Sequence, residues 1–260
     1  MKAYVRLFRE VFAANLAAVI EYRVSFLIQF FGMMLNNASF LVFWSVLLGH
    51  AGTVGGWGFQ DVLFLWAIGP AAFGLAHVVF GNVRQIGALI IQGDLDVYLL
   101  QPKDPLFHAL ISRTIPSAWG DLIYGLVLLP FITLDPVKMG LFLLFTVTGA
   151  LVFVGTFGLV QTLAFWLGNI SGLAQALTEF MLNFTLYPET VFPQDMRWVF
   201  YSLIPAGFLV FLPLQVLRTL EWGWLPVIVA AAVGLCVLNA LLFRAGLKRY
   251  ESGNAIGARV

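Results

Sequence analysis

Charged residues are scarce in this sequence. Only 10% of its 260 residues are Asp, Glu, Lys or Arg, whereas an ordinary soluble domain has about 25%. Hydrophobic residues make up 61% of the chain, and the mean hydropathy is +0.93. A water-facing surface cannot be built from this composition, which excludes a soluble enzyme and a disordered scaffold. The composition leaves an integral membrane protein of the all-α class.

Several chemical motifs are missing as well. The lone cysteine, Cys236, excludes a disulfide framework and a cysteine-based metal site. A net charge of +1 without a basic block excludes a nucleic-acid partner. None of the four lysines stands in a phosphate-binding Gly-Lys-Ser/Thr motif, and the three histidines lack zinc-ligand neighbours. We therefore expect no cofactor in this chain and no catalytic site of its own.

Long intervals without charge predict membrane-spanning helices. A span needs about 20 apolar residues to cross about 30 Å of hydrocarbon. The residues from Gly168 to Gly172 break one interval that is too long for a single crossing. The intervals together predict six spans, at residues 24–48, 62–83, 116–134, 139–167, 170–186 and 222–243.

The positive charges favour six spans over seven. With both termini on the cytoplasmic side, only Lys138, Arg197 and Arg218 lie outside. The other basic residues then lie inside, and they are Lys2, Arg6, Arg9, Arg23, Arg84, Lys103, Arg113, Arg244, Lys248, Arg249 and Arg259. Eleven against three is a strong positive-inside bias. Seven spans would place the basic residues from Arg244 onward on the opposite side from the amino terminus.

Residues 1–22 predict an interfacial helix that binds the lipid surface. Charges at Arg6, Arg9 and Glu10 interrupt any apolar core and argue against a signal peptide. The apolar residues that recur at helical spacing on one face are Val5, Phe8, Phe12, Leu16, Val19 and Ile20. A cytoplasmic extension of the first span is the alternative.

Residues 84–104, the 84–104 loop, carry signals of ordered structure. Ile86, Leu89 and Ile90 predict a short amphipathic helix that stops at Gly93. Asp104 and Pro105 predict the start of another helix, with Asp as the cap. An ordered cytoplasmic loop suits a docking surface for a partner. A loop that packs on its own bundle is the alternative.

Residues 187–221, the outer region, contain a charge-free stretch that is broken by Pro205 and Pro213. Two prolines eight residues apart disrupt helical hydrogen bonding, which favours two short helices that enter the membrane and return. A seventh, kinked span is the alternative. Such a re-entrant hairpin would gate a pathway at the outer leaflet or close the bundle.

Polar residues inside the spans are candidates for a pathway. Glu179 and Asp121 are carboxylates in or near spans, and each needs a partner, a cavity or the interface. Glu179 suits proton coupling, or a structural pair. The residues that we assign to a possible pathway or gate are Glu179, Asn183, Tyr187, Pro188, Phe192, Pro205 and Pro213.

Several motifs resemble type-2 ABC transporter permeases, in particular a small prokaryotic six-span subgroup of similar length. The stretch from Gly93 to Pro102, Gly-Asp-Leu-Asp-Val-Tyr-Leu-Leu-Gln-Pro, is the most specific of them. The others are residues 81–84, 117–121, 187–193 and 204–213. The resemblance covers nearly the whole chain.

The resemblance implies a half-transporter of the cytoplasmic (inner) membrane that mostly exports. Such a permease pairs with an identical or sibling permease and binds two cytoplasmic ABC ATPase subunits, which hold ATP and Mg. The implied contacts with the ATPase in the interfacial helix include Arg6, Phe8, Arg9 and Phe12. Those in the 84–104 loop are Arg84, Ile86, Leu89, Ile90, Gly93, Asp94, Asp96, Gln101 and Pro102. A proton-coupled carrier that uses Glu179 and a non-transporting scaffold for an ATPase are the rival functions.

Overall fold

The protein is α-helical throughout the part of the chain that the structure describes. The structure is a computed structural model, and it describes residues 2–193, 197–202 and 205–250; the side chain of Arg197 and two residues used above, Ile204 and Arg259, lie outside the description. The helices in the first half are α1 (Lys2–Glu21), α2 (Arg23–Ala51), α3 (Phe59–Val79), α4 (Ile86–Gln92), α5 (Asp96–Leu99) and α6 (Pro105–Ile111). They are followed by α7 (Ala118–Ile132), α8 (Pro136–Thr162), α9 (Ala164–Leu167), α10 (Ser171–Leu186), α11 (Arg197–Tyr201), α12 (Leu212–Thr219) and α13 (Leu225–Leu247).

Four helical segments are long and apolar enough to cross a membrane. They are Arg23–Ala51, Phe59–Val79, Pro136–Leu167 and Trp222–Leu247, which match the first, second, fourth and last predicted spans. The third and fifth predicted spans correspond to α7 and α10, which are shorter. At 1.5 Å per residue α7 is about 22 Å long, less than the hydrocarbon core of a typical bilayer. The break predicted between the fourth and fifth spans is confirmed at Gly168, whose φ is +69°.

Helix α3 lies at the centre of the bundle. Val62, Leu65 and Ile68 are fully buried, because α7 and α8 pack along α3 and α13 packs on α8. Two glycines allow α3 and α7 to approach closely: a Cβ on Gly74 or Gly125 would clash with backbone atoms of the facing helix. Small residues at such contacts are the usual means of packing helices in lipid.

Helix α2 is attached to α7 by a buried polar contact. Asn37 Nδ2 donates to Asp121 Oδ1 at 2.7 Å, and Tyr124 OH donates to the Asn37 carbonyl oxygen at 3.3 Å. Asp121 is 5% exposed. The structure therefore gives Asp121 a partner, as a carboxylate in a span requires.

Helix α1 packs on the bundle along one line and bends into α2 at Tyr22. Phe12 lies 6.3 Å from the Trp119 ring, and Asn15 Nδ2 donates to the Ile111 carbonyl oxygen at 3.0 Å. Val5 and Ile20, predicted on the apolar face, are 64% and 59% exposed. The interfacial position of α1 therefore stays a prediction, and α1 contacts α6 and α7 through Tyr4, Phe12 and Asn15.

The outer region packs against the turn between α2 and α3, which we call the turn end of the molecule. Arg218 forms an ion pair with Asp61 at the start of α3, and its Nε donates to Asp61 Oδ1 at 2.8 Å. Two short helices follow α10, as predicted, but the second continues through Pro213. A π-helical turn over Gly207–Phe211 leads directly into α12, which has Pro213 in its first turn. The break therefore lies before Gly207 and not at Pro213.

Candidate functional site

Helix α4 of the 84–104 loop lies against the bundle at the end opposite the turn end, which we call the loop end. It stops at Gly93, whose φ of +78° is left-handed, as the sequence predicts. Ile86 and Ile90 are buried within this chain. These two residues therefore hold α4 on the bundle, which corrects their assignment to a partner-facing surface.

A hydrogen bond joins α4 to the last turn of α8. Gly87 N donates to Gln161 Oε1 at 3.1 Å. A Cβ at position 87 would clash with that oxygen, so a larger residue there would displace the Gln161 side chain. The contact therefore joins the loop to the end of a membrane-spanning helix.

Asn82 and Ser112 join the start and the end of the loop. Asn82 Nδ2 donates to the Ala109 carbonyl oxygen and to Ser112 Oγ, both at 2.9 Å, and Tyr98 OH donates to Ser112 Oγ at 3.1 Å. The Tyr98 ring also stands edge-on to His108, and burial lowers the pKa of His108. The sequence did not predict that Asn82 and Ser112 hold the loop in place. A polar asparagine beside an apolar run does indicate a buried hydrogen bond.

Asp104 connects three helices. Its Oδ1 accepts from Phe107 N at 2.9 Å, which confirms the predicted cap of α6. Its Oδ2 accepts from the Arg244 guanidinium at 3.3 Å, in an ion pair with the last turn of α13. Asp104 N donates to Tyr4 OH of α1 at 3.3 Å. One residue thus links the loop to α1, α6 and α13.

Asp96 forms a second connection to the end of α13. The Tyr250 hydroxyl lies beside the Asp96 carboxylate, and burial together with this carboxylate raises the pKa of Tyr250 to about 12. Tyr250 also stands edge-on to the Phe165 ring of α9 at 6.3 Å. The loop is therefore in contact with the loop ends of α8, α9 and α13.

The outward surface of the loop consists of other residues than Ile86 and Ile90. Leu100 is 87% exposed and Val97 is 64% exposed. Five of the residues predicted to face a partner are also on the surface, and they are Arg84, Asp94, Asp96, Gln101 and Pro102, with Asp96 only partly so. Gly93 is buried and Leu89 is half-buried.

The residues predicted on α1 divide between its two sides. Phe8 and Phe12 stack at 5.6 Å on the packed side. Arg6 and Arg9 are exposed, and Arg9 forms an ion pair with Glu10 at 3.3 Å. Because Tyr4 of α1 contacts Asp104, the structure brings the interfacial helix and the 84–104 loop together.

The predicted pathway residues do not form one cluster. Glu179 and Asn183 lie on the exposed side of α10, where Gln175 Nε2 donates to Glu179 Oε1 at 2.9 Å. Tyr187 lies edge-on to Trp44 at 6.1 Å, and Phe192 packs among Phe184 and Phe200 at the turn end. The prolines Pro188, Pro205 and Pro213 are buried.

A cavity of about 530 Å³ lies between α4, the end of α8 and the start of α10. We call it the loop pocket. Most of its polar lining is uncharged, and Arg84 provides a cation. Within the described ranges, no group of three His, Cys, Asp or Glu side chains is placed to hold a metal ion.

Comparison with known protein families identifies a match. A family model described as "ABC-2 family transporter protein" matches residues 34–254. The chain belongs to the ABC-2 transporter family. The match begins in α2, so the 84–104 loop and the loop pocket of this ABC-2 protein lie inside the matched region and α1 precedes it. No curated protein and no solved structure matches at the significance required.

Proposed function

We propose that this ABC-2 protein is the membrane-spanning permease subunit of an ATP-driven exporter. One observation carries the proposal: within a family of transporter proteins, the 84–104 loop is bonded to the ends of α1, α8 and α13. A force on this loop would be transmitted to α8 and α13, which are long enough to cross the membrane. The power source would be two separate cytoplasmic ATPase subunits that bind ATP and Mg.

The outward face of the loop supports a docking role. Val97 and Leu100 expose apolar side chains to the surroundings, and Asp94 and Gln101 lie beside them with polar groups. An apolar centre with a polar rim is the usual composition of a protein interface. We propose that the ATPase contacts this face and the neighbouring surface of α1 at Arg6 and Arg9.

The exposed helices support pairing with a second permease, identical or sibling. Only a small part of α2 and of α13 is buried within the chain. Apolar faces of this kind pack against lipid or against another subunit. A substrate pathway between two permeases would then include the exposed side of α10, where Glu179 and Asn183 lie.

The topology that we propose has six spans and a re-entrant outer region. Helices α7 and α10 complete the four longer spans, and both termini lie in the cytoplasm of a prokaryotic cell. The loop end then faces the cytoplasm, which places the 84–104 loop within reach of an ATPase. In this scheme ATP binding closes the ATPase pair, the loop moves with it, and the two permeases part to admit a substrate.

The test is affinity purification of the tagged chain from its native membrane, with identification of the proteins that co-purify. We expect an ABC ATPase in stoichiometric amount. Leu100→Glu should remove it, because a buried unpaired carboxylate opposes docking. Val137→Glu is the matched control, since Val137 is also exposed but lies at the turn end, and it should retain the ATPase.

Two outcomes would contradict the proposal. A chain that purifies alone in several mild detergents, and whose transport is abolished by Glu179→Gln, would favour a secondary carrier. A complex in which no substrate stimulates ATP hydrolysis would favour a non-transporting scaffold. A sibling permease in the same eluate would define a heterodimer within the proposed function.

A further inference from the structure

We infer that the loop pocket binds a phosphate-type anionic group. The pocket has a volume of about 530 Å³, within the range of small-molecule sites. It is therefore larger than a bare phosphate, and the anion would carry an organic group. Two sources share this chemistry, the headgroup of an anionic lipid and a soluble phosphate ester.

The charge of the pocket favours an anion. Arg84 is the ionisable side chain among the described residues that line it. Its guanidinium makes no hydrogen bond or ion pair with another described residue. An unpaired guanidinium offers five N–H donors in a planar arrangement that matches phosphate oxygens.

A backbone contact determines which way the side-chain amide of Gln161, the first amide of the lining, is turned. Gln161 Oε1 accepts from Gly87 N, and a backbone N–H can only donate. The atom of Gln161 that faces Gly87 must therefore be the oxygen. Its Nε2 group, with two N–H donors, remains available to the pocket.

The second amide is oriented in the same way. Asn169 Oδ1 accepts from Ser171 N at 3.1 Å, which leaves Asn169 Nδ2 as a donor. The Ser171 hydroxyl lines the same pocket. Arg84, Gln161, Asn169 and Ser171 thus present donors from three elements, whereas a cation would need acceptors.

Acceptors are also present, but among the described lining residues they belong to uncharged groups such as the amides of Gln85 and Gln92. Glu179 directly follows the lining residue Thr178 on α10, and its carboxylate accepts from Gln175 Nε2. Gln175 thus retains its oxygen and its second N–H. The formal charge among the described lining residues is the positive charge of Arg84, so the pocket as a whole suits an anion with several oxygen atoms.

The pocket does not depend on the proposed transport function, because the isolated chain forms it without an ATPase. The test is native mass spectrometry of the full chain in detergent, titrated with phosphatidylglycerol, with diacylglycerol as the phosphate-free lipid and with glycerol 3-phosphate as the soluble ester. We expect phosphatidylglycerol, glycerol 3-phosphate or both to bind. Binding of the lipid alone assigns the pocket to a headgroup, and binding of the soluble ester assigns it to a free phosphate compound.

Variants decide whether the loop pocket is the site. Arg84→Gln should weaken binding about tenfold, the effect of a hydrogen bond to a charged group. Arg113→Gln removes an exposed arginine that lines a different cavity, and it should bind as the parent does. Gln161→Glu and Asn169→Asp preserve the oxygens that accept from Gly87 and Ser171, but replace the donors by negative charge. Each should weaken binding at least as much as Arg84→Gln.

The inference is overturned by either of two results. One is equal binding of phosphatidylglycerol and diacylglycerol together with no binding of glycerol 3-phosphate. The other is binding that Arg84→Gln, Gln161→Glu and Asn169→Asp all leave unchanged. Circular dichroism and size-exclusion elution of each variant identify any that misfold, and the near-isosteric Asn169→Asp remains informative if Gln161→Glu is lost.

Discussion

At the residue scale, polar side chains inside the bundle pair with one another across helices. Asn37 of α2 and Asp121 of α7 are 84 positions apart and form a hydrogen bond of 2.7 Å. Thr162 of α8 donates to Asn239 Oδ1 of α13 at 3.1 Å in the same manner. Inside an apolar bundle, such contacts determine how two helices align along each other, because their other side chains are all similarly apolar.

Asp121→Ala should destabilise the protein by about 1–2 kcal/mol. The substitution leaves the Asn37 amide buried without its acceptor. Thermal unfolding in detergent measures the loss. Asp121→Asn keeps an acceptor oxygen for Asn37, so its midpoint should stay close to that of the parent. Equal midpoints for Asp121→Ala and the parent would show that the contact contributes nothing.

At the element scale, glycines decide how closely neighbouring helices approach. A Cβ on Gly125 of α7 would meet the Ala67 carbonyl oxygen and Ala71 of α3. Backbone atoms of a central helix cannot move aside as the end of a flexible side chain can. The contact between α3 and α7 therefore depends on the absence of a side chain.

Gly125→Ala should lower stability by about 1–3 kcal/mol, because the added methyl group separates α3 from α7. Gly234→Ala in α13 is the matched control, since a Cβ there meets nothing within 4 Å. The control should be neutral or slightly stabilising, because alanine favours a helix more than glycine does. Unfolding midpoints of the two variants, measured in one detergent, distinguish them; equal midpoints would contradict the packing argument.

A second prediction at this scale follows from Asp104, which attaches the 84–104 loop to α6 and α13. Asp104→Asn retains a side-chain acceptor for Phe107 N but removes the ion pair with Arg244, which is exposed and should contribute less than about 1 kcal/mol. Asp104→Ala removes the helix cap as well, at a cost of about 1 kcal/mol. Hydrogen exchange of the amides in α6 should therefore accelerate more in Asp104→Ala than in Asp104→Asn. The same rate in both variants would show that the cap does not stabilise α6.

At the scale of the whole molecule, the two ends differ in construction. The turn end joins α2 to α3 and is closed by the Arg218–Asp61 ion pair and aromatic packing of the outer region. The loop end carries the 84–104 loop, α1 and the loop pocket. Most of the basic residues lie toward the loop end, which in the proposed topology faces the cytoplasm, in keeping with the positive-inside rule.

Single-cysteine labelling tests that orientation. In a Cys236→Ser background, Thr53→Cys at the turn end should react with an impermeant maleimide on intact cells. Asp94→Cys at the loop end should react only after the membrane is permeabilised. Both positions are exposed, so accessibility to reagent in the detergent-solubilised protein serves as the control. Labelling of Asp94→Cys on intact cells would reverse the proposed topology.

Local signals in the sequence predicted much of the helical framework. The long charge-free intervals predicted the four apolar spans, and single residues predicted the break at Gly168, the stop at Gly93 and the cap at Asp104. Each of these features depends on residues within one or two helical turns. A sequence pattern contains that information because the interacting groups are close along the chain.

The tertiary structure decided which faces of those helices are buried. The resemblance assigned Ile86 and Ile90 to a surface that contacts a partner, and the structure buries both within this chain. In a membrane protein the lipid-facing side of a helix is as apolar as its packed side, so hydrophobic periodicity does not distinguish them. The Asp104–Arg244 pair joins residues 140 positions apart, and the loop pocket combines three separate helices. Such contacts follow from how helices pack in three dimensions, and no local pattern in the sequence encodes them.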